Sequence, residues 1–342
     1  MRPLNQGSGE LSDWGLELKV QCELCPKLCL VESGQSGECR VRINIDGVLR
    51  TVVYGFPCSM YIDPVEKKPL FHFLPGTGIL SIATVGCNLH CKNCQNWQIS
   101  QTNPEDPQIS AYPCPPERLV SLAKGANCPS IAYTYTDPVV YYEYTYDSAK
   151  LARESAMRNV LVTAAYVNAE PWEKLLKYVD AANIDLKGMT DDFYREVCSG
   201  TLKPVQNAMI MAKAAGILVE VTNLLIPTLN DKPEQIRELC RWVKANLGGE
   251  TPMHFSRFFP RYKMRHLPAT PPKTLDVARE IAMSEGLLYV YIGNIASKEG
   301  QNTYCPGCKM LLIERSGYTI LQNRLKDGRC PDCGKDIYGV WQ

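Results

Sequence analysis

Three cysteines, Cys87, Cys91 and Cys94, stand at C-x3-C-x2-C spacing in residues 86–97, GCNLHCKNCQNW. Three thiolates can hold three irons of a [4Fe-4S] cluster and leave the fourth iron without a protein ligand. An open iron is a place for chemistry, whereas a site closed by four cysteines serves structure or electron transfer. The alternative use of such thiols is a zinc site completed by cysteines from elsewhere. The preceding stretch weighs against it. Residues 79–85 are apolar and β-branched, which predicts a strand running into the loop. A buried strand ending in a cysteine-rich loop has the geometry of a site at the C-terminal mouth of an α/β barrel.

The remaining cysteines of the 16 fall into two further groups and five single positions. Cys305, Cys308, Cys330 and Cys333 form two C-x2-C knuckles, the pattern of a zinc ribbon or rubredoxin-like site for one tetrahedral metal. Zinc in a structural role is the expectation there. Cys22, Cys25, Cys29 and Cys39 run C-x2-C-x3-C-x9-C, which suits either structural zinc or an auxiliary [4Fe-4S] cluster. Cys58, Cys114, Cys128, Cys198 and Cys240 stand alone and read as buried, inert thiols. Short cysteine steps point to metal sites in a reducing compartment rather than to disulfides. No apolar leader core occupies the first twenty residues, so a cytoplasmic protein is expected. A net charge of +1 gives no reason to expect nucleic acid or an anionic membrane as a partner.

The elements that must position these groups follow from periodicity. Over 342 residues there is room for one large α/β domain with small appendages. Apolar runs predict strands at 79–85, 130–135, 159–165, 182–187, 217–226, 253–258 and 288–292. Helices are predicted at 115–126, 139–157, 171–179, 190–198, 204–215, 232–245 and 275–284. Such alternation implies parallel strands joined by right-handed crossovers. Six or seven units are too few to close an eight-fold barrel, so a partial, open barrel is expected. The boundaries read as a polar tail at 1–20, an N-terminal four-cysteine module and connector at 21–78, the barrel at 79–294, and a C-terminal ribbon at 295–342. Within the first module, Asp46-Gly47 between two apolar runs predicts a hairpin turn.

Strand ends at the mouth supply the other candidates. Asp185 and Lys187 share one face of the fourth strand, where two charges are costly unless paired or facing a polar cavity. Thr163 and Asn168 end the third strand, and Glu220, Thr222 and Asn223 lie along the fifth. His254, Arg257 and Arg261 follow; His254 reads as a satisfied core histidine as readily as a ligand.

The cysteine loop resembles the signature of the radical S-adenosylmethionine (SAM) superfamily, and the chain is similar to the branch related to pyruvate formate-lyase activating enzymes. More narrowly, residues 63–76, DPVEKKPLFHFLPG, and residues 94–97, CQNW, resemble the radical SAM member of the AmmeMemoRadiSam system. The likeness runs from about Cys22 to the end of the chain. It implies a partial (β/α)6-type barrel of the radical SAM kind, a [4Fe-4S] cluster on Cys87, Cys91 and Cys94, and SAM at the open iron. It implies reductive cleavage of SAM to a 5′-deoxyadenosyl radical, with a small molecule or peptide as substrate. Glycyl-radical formation on a partner protein stays open, as does a non-catalytic metal-binding role. Tyr135, Thr136 and Asp137 match the positions where the activating enzymes receive the SAM amino group. Asp185 and Lys187 match an Asp-x-Lys stretch that looks toward SAM, and carry the catalytic expectation. Thr163, Asn168 and Asn223 are further cofactor candidates. An electron donor such as flavodoxin or ferredoxin is implied, together with an association with Memo-like proteins and their companion. One departure stands out. Asn93 precedes the third cysteine where the superfamily often has an aromatic residue, which leaves either Trp97 or backbone to cover the adenine; Trp97 reads equally well as core packing.

Overall fold

The computed structural model describes residues 19–342, so the tail expected at 1–20 lies, but for its last two residues, outside the described residues. One sheet of eight strands organises the chain. In chain order these are β1 (Ser59–Pro64), β2 (Gly78–Ala83), β3 (Ser130–Tyr133), β4 (Arg158–Thr163), β5 (Ala181–Asp185), β6 (Leu218–Leu225), β7 (Met253–Arg257) and β8 (Val290–Gly293). Neighbours in sequence are neighbours in the sheet, with β1 and β8 at its two edges. From β2 to β8 every pairing is parallel; β1 pairs antiparallel with β2, Ser59 opposite Ala83. Helices α1 (Pro116–Gly125), α2 (Tyr142–Glu154), α3 (Ala169–Leu176), α4 (Leu202–Ala214), α5 (Pro233–Leu247) and α6 (Pro272–Ser284) fill the crossovers. Seven parallel strands and six crossover helices make the expected open (β/α)6-type barrel. The antiparallel edge strand was not expected.

Local chemistry accounts for the helix starts. α1, α5 and α6 each begin at a proline, whose fixed φ suits the first turn and whose missing N–H would have no partner there. α1 and α5 add Glu117 and Glu234 to that turn, where the helix dipole favours negative charge. The predicted hairpin also forms: strands Arg42–Ile45 and Val48–Thr51 flank Asp46 and Gly47, both with positive φ.

Alternation along the strands sorts two layers. Leu80, Ile82, Ile131, Tyr133, Leu161, Ile184 and Phe255 pack outward with the helices in the main core. Ile79, Ala132, Val160, Ala181 and Leu218, near the strand beginnings, face a second cluster inside the barrel. What fills that interior is the segment between β1 and β2. Its Val65, Leu70, Phe73 and Leu74 close the N-terminal end of the barrel as an apolar plug. The plug is also pinned by polar bonds. Buried Glu220 accepts from the backbone N–H groups of Phe71 (3.1 Å) and His72 (2.8 Å) and pairs with His254 Nε2 at 2.6 Å. Asn183 donates to the Pro69 carbonyl. His254 is thus a satisfied core histidine, and Glu220 serves the interior rather than the mouth.

Residues 303–341 form the C-terminal ribbon, a three-stranded antiparallel sheet with the Cys305 and Cys330 knuckles. It braces the plug from below. Arg315 donates to the Phe71 carbonyl and lies over the Phe71 ring, and the Leu74 N–H donates to the Val340 carbonyl.

Removing Glu220 strands two backbone donors and one imidazole in the interior. Glu220→Ala should cost about 3–5 kcal/mol of stability, read as a lowered denaturation midpoint of the metal-loaded protein. An unchanged midpoint would mean that the plug does not depend on this carboxylate.

Candidate functional site: the cysteine loop at the barrel mouth

The loop begins where β2 ends. Gly86 has φ +91°, and a Cβ there would lie 2.6 Å from the Cys39 carbonyl oxygen, so only glycine permits this turn against the N-terminal module. A one-turn helix, Trp97–Ser100, closes the loop, and the Ile99 carbonyl accepts from the Gly86 N–H. Its other flank rests on the π-helix Tyr194–Cys198: His90 N–H donates to the Cys198 carbonyl and Lys92 N–H to the Val197 carbonyl. Helical irregularities of this kind concentrate at functional sites. On the far side Trp97 stacks on Tyr262, with centroids 5.3 Å apart and planes 11° apart, and the Lys263 N–H donates to the Lys92 carbonyl. The tryptophan expected to cover the cofactor is therefore held by the loop after β7.

The three sulfurs sit in a field of donors. The Leu89 N–H points at Cys87 Sγ (3.5 Å) and Ser100 Oγ lies 3.2 Å from Cys94 Sγ. The neighbouring Cys198 thiol and Lys187 lower the pKa of Cys91 against the burial that raises it. Cys198 was read from the sequence as a buried, inert thiol; it is buried, and it lies beside Cys91. Nothing in its own sequence neighbourhood signals this, because the contact is made by the chain returning after β5.

Asp185 and Lys187 come together with that set. Lys187 Nζ donates to Asp185 at 2.8 Å. Burial opposes its charge, but Asp185, Cys91 and Cys198 hold the ammonium well above its ordinary pKa. Asn223 lies behind them and donates to the Leu186 carbonyl at 2.7 Å, fixing the end of β5.

The ends of β3 and β4 are tied to each other. Asp137 is buried; one carboxylate oxygen accepts from Thr163 Oγ1 (2.9 Å) and the Val139 N–H (3.1 Å), the other from the Ala164 N–H (2.9 Å). Burial lifts its pKa against those bonds. Thr136 Oγ1 donates to the Thr84 carbonyl. Tyr135 and Ala165 hold positive φ at these two strand ends, a strained backbone of the kind that concentrates at active sites. Asn96 of the cysteine loop donates to the Tyr135 carbonyl at 2.7 Å. The Tyr135 hydroxyl donates to Asp63, which also pairs with Lys67 and the buried Lys68, whose pKa burial pushes down to about 8. Asn168 goes elsewhere: its side chain donates to the Glu23 carbonyl at 2.6 Å and its N–H to Leu24, clasping the N-terminal knuckle.

The donor set fits a [4Fe-4S] cluster. Two of the three cysteines on the loop meet an N–H and a hydroxyl, with one ammonium close by, the kind of surroundings that set cluster potentials. Residues 81–243, which include the cysteine loop and the ends of β2 to β6, match the model of the radical SAM superfamily. The chain belongs to the radical SAM superfamily. A protein of Methanocaldococcus jannaschii without a characterized function is 49% identical over 321 residues, covering 93% of this chain and 95% of its own. The pyruvate formate-lyase-activating enzyme of Clostridium pasteurianum is 24% identical over 192 residues, 54% of this chain and 76% of that one. Among solved structures, a radical SAM methyltransferase from Sphaerobacter thermophilus shares the fold, with a TM-score of 0.50 at 15% identity over 69% of this chain and 71% of that one. The chain is accordingly a radical SAM enzyme with activating-enzyme relatives. Among the described residues no helix is long and apolar enough to cross a membrane.

Gly86→Ala forces a side chain onto the Cys39 carbonyl in a left-handed turn. It should cost about 1–3 kcal/mol and lower iron retention at the central site, measured by thermal unfolding and iron analysis. Full iron retention at wild-type stability would show that the turn tolerates a Cβ.

Proposed function

We propose that this radical SAM enzyme binds SAM at the barrel mouth, cleaves it reductively and acts on a small-molecule or peptide substrate. A [4Fe-4S] cluster with SAM bound supplies one-electron cleavage of the S–C5′ bond to a 5′-deoxyadenosyl radical. The observation that carries the reading is the Lys187–Asp185 pair, 2.8 Å apart at the end of β5 beside the cysteine loop. Cys87, Cys91 and Cys94 would hold the cluster. Asp185, partly exposed beside them, can accept from the SAM ammonium, and Lys187 can balance thiolate charge or hold the SAM carboxylate. Asp137, Thr163, Thr136 and Asn223 position the loops that surround the cofactor, acting through backbone rather than by contact. Tyr135 and Trp97 supply aromatic walls. Substrate size is favoured by the N-terminal module, which packs on the cysteine loop through Gly86 and Cys39 and through a Glu38–His90 pair at 3.4 Å, narrowing the approach. A reductant must deliver the electron, and a flavodoxin- or ferredoxin-like donor fits that need. The C-terminal thiols, 3.5 and 3.6 Å apart in two pairs, suit one structural zinc. Memo-like proteins and their companion are the proposed partners, supported by the likeness of residues 63–76 and 94–97.

Anaerobically reconstituted protein given SAM and dithionite should release 5′-deoxyadenosine, and the Cys87→Ala/Cys91→Ala/Cys94→Ala variant should release none. Equal release from both would overturn the reading. Asp185→Asn should weaken SAM binding about tenfold, or about 1.4 kcal/mol, with iron content unchanged. Unchanged affinity by equilibrium dialysis would remove Asp185 from the cofactor site.

A further inference from the structure

Cys22, Cys25, Cys29 and Cys39 take no part in the mouth chemistry. Their side chains line one small cavity of about 20 Å³, partly open to solvent. Leu24, Val139 and Val140 give it apolar walls, and Arg42 and Asn88 reach it from the hairpin and from the central loop.

The spacing of the sulfurs separates the two metals that four thiolates suit. Zinc holds sulfur at about 2.3 Å, which sets tetrahedral sulfurs about 3.8 Å apart. The C-terminal four obey this, with all four donor atoms within 4.8 Å of one another. They are the one such set among the described residues. Neither the N-terminal four nor Cys87, Cys91 and Cys94 form such a set. Both therefore differ from the single-ion site in the same chain.

The surroundings agree with an iron–sulfur occupant. Arg42 is only 4% exposed; its Nη2 binds Glu143 at 2.8 Å while its buried Nε has no hydrogen-bond partner. A buried guanidinium N–H without a partner, beside four thiolates, is suited to an anionic cluster with sulfides that can accept it.

We propose that Cys22, Cys25, Cys29 and Cys39 hold a second [4Fe-4S] cluster, closed by four thiolates and seated against the loop of the first. The two sites share structure. The Cys39 carbonyl lies under Gly86, Asn88, next to Cys87, lines the cavity of the N-terminal four, and Glu38 pairs with His90. The assignment does not depend on the reading of the mouth.

The test counts metals and types the clusters. Full-length protein is reconstituted anaerobically with iron and sulfide, then analysed for iron, sulfide and zinc and by Mössbauer spectroscopy. Wild type should hold about eight irons, and the Cys87→Ala/Cys91→Ala/Cys94→Ala variant about four, a twofold drop. The remaining iron should show a [4Fe-4S]2+ doublet and, once reduced, an EPR signal that SAM does not alter. Wild type with about four irons and two tightly held zincs, or a triple variant that binds no iron while staying folded, would overturn the proposal. If the triple variant does not fold, the wild-type iron count and the Cys25→Ser variant, expected to keep the SAM-sensitive signal alone, decide it. Four irons that persist unchanged in the triple variant would refute the mouth reading and leave this one standing.

Discussion

An open barrel has an interior that water can reach, and here a buried carboxylate keeps it shut at one end. Glu220 receives two backbone N–H groups of the plug and one imidazole, so the segment between β1 and β2 cannot leave without stranding charge and donors in a dry interior. With the N-terminal end of the barrel filled by Leu70, Phe73 and Leu74, the free space for chemistry lies at the opposite end. The C-terminal ribbon thickens the same seal through Arg315 and Val340. This accounts for placing a four-thiolate ribbon, compact enough for one ion, far along the chain from the reacting loop.

At the mouth the physical problem is reversed. Three sulfurs must be held apart, partly dry, and supplied with donors. Gly86 makes the turn, the π-helix Tyr194–Cys198 carries the loop from one side, and the Trp97–Tyr262 stack carries it from the other. Lys187 offsets the charge that thiolates would build, and its own charge is fixed by Asp185. The neighbouring strand ends are locked through Asp137, which accepts from three donors on two segments and so serves as a rigid joint. That use is compatible with a site whose backbone, rather than this carboxylate, meets the cofactor.

The barrel was legible because its strands repeat a simple signal: short apolar runs, each followed by an amphipathic helix with a proline or an acidic residue in its first turn. The cysteine loop was legible from spacing alone. Other parts were hidden for identifiable reasons. β1 exposes Tyr61 and Ile62, and it ends in proline, so its pattern resembles a loop. Glu66 and Lys68 look like surface charges, yet both are buried, because Lys68 finds Asp63 and Glu66 accepts from the Gly76 N–H. The surroundings of Cys198 and Asn168 were hidden as well. The first is buried as expected but lies beside Cys91, from a distant segment; the second spends its side chain on the N-terminal knuckle. Spacing named the metal sets, but only the placement of the sulfurs sets the one-ion site apart from the other two.

The central claim is an iron at the mouth with no protein ligand, to which the methionine end of SAM binds. Its most direct test is pulsed EPR of the reduced, anaerobically reconstituted protein with SAM carrying 15N in the amino group and 17O in the carboxylate. The account predicts hyperfine coupling from both labels to a cluster that disappears in the variant lacking the three loop cysteines. A reduced cluster whose spectrum is identical with labelled and unlabelled SAM would contradict it.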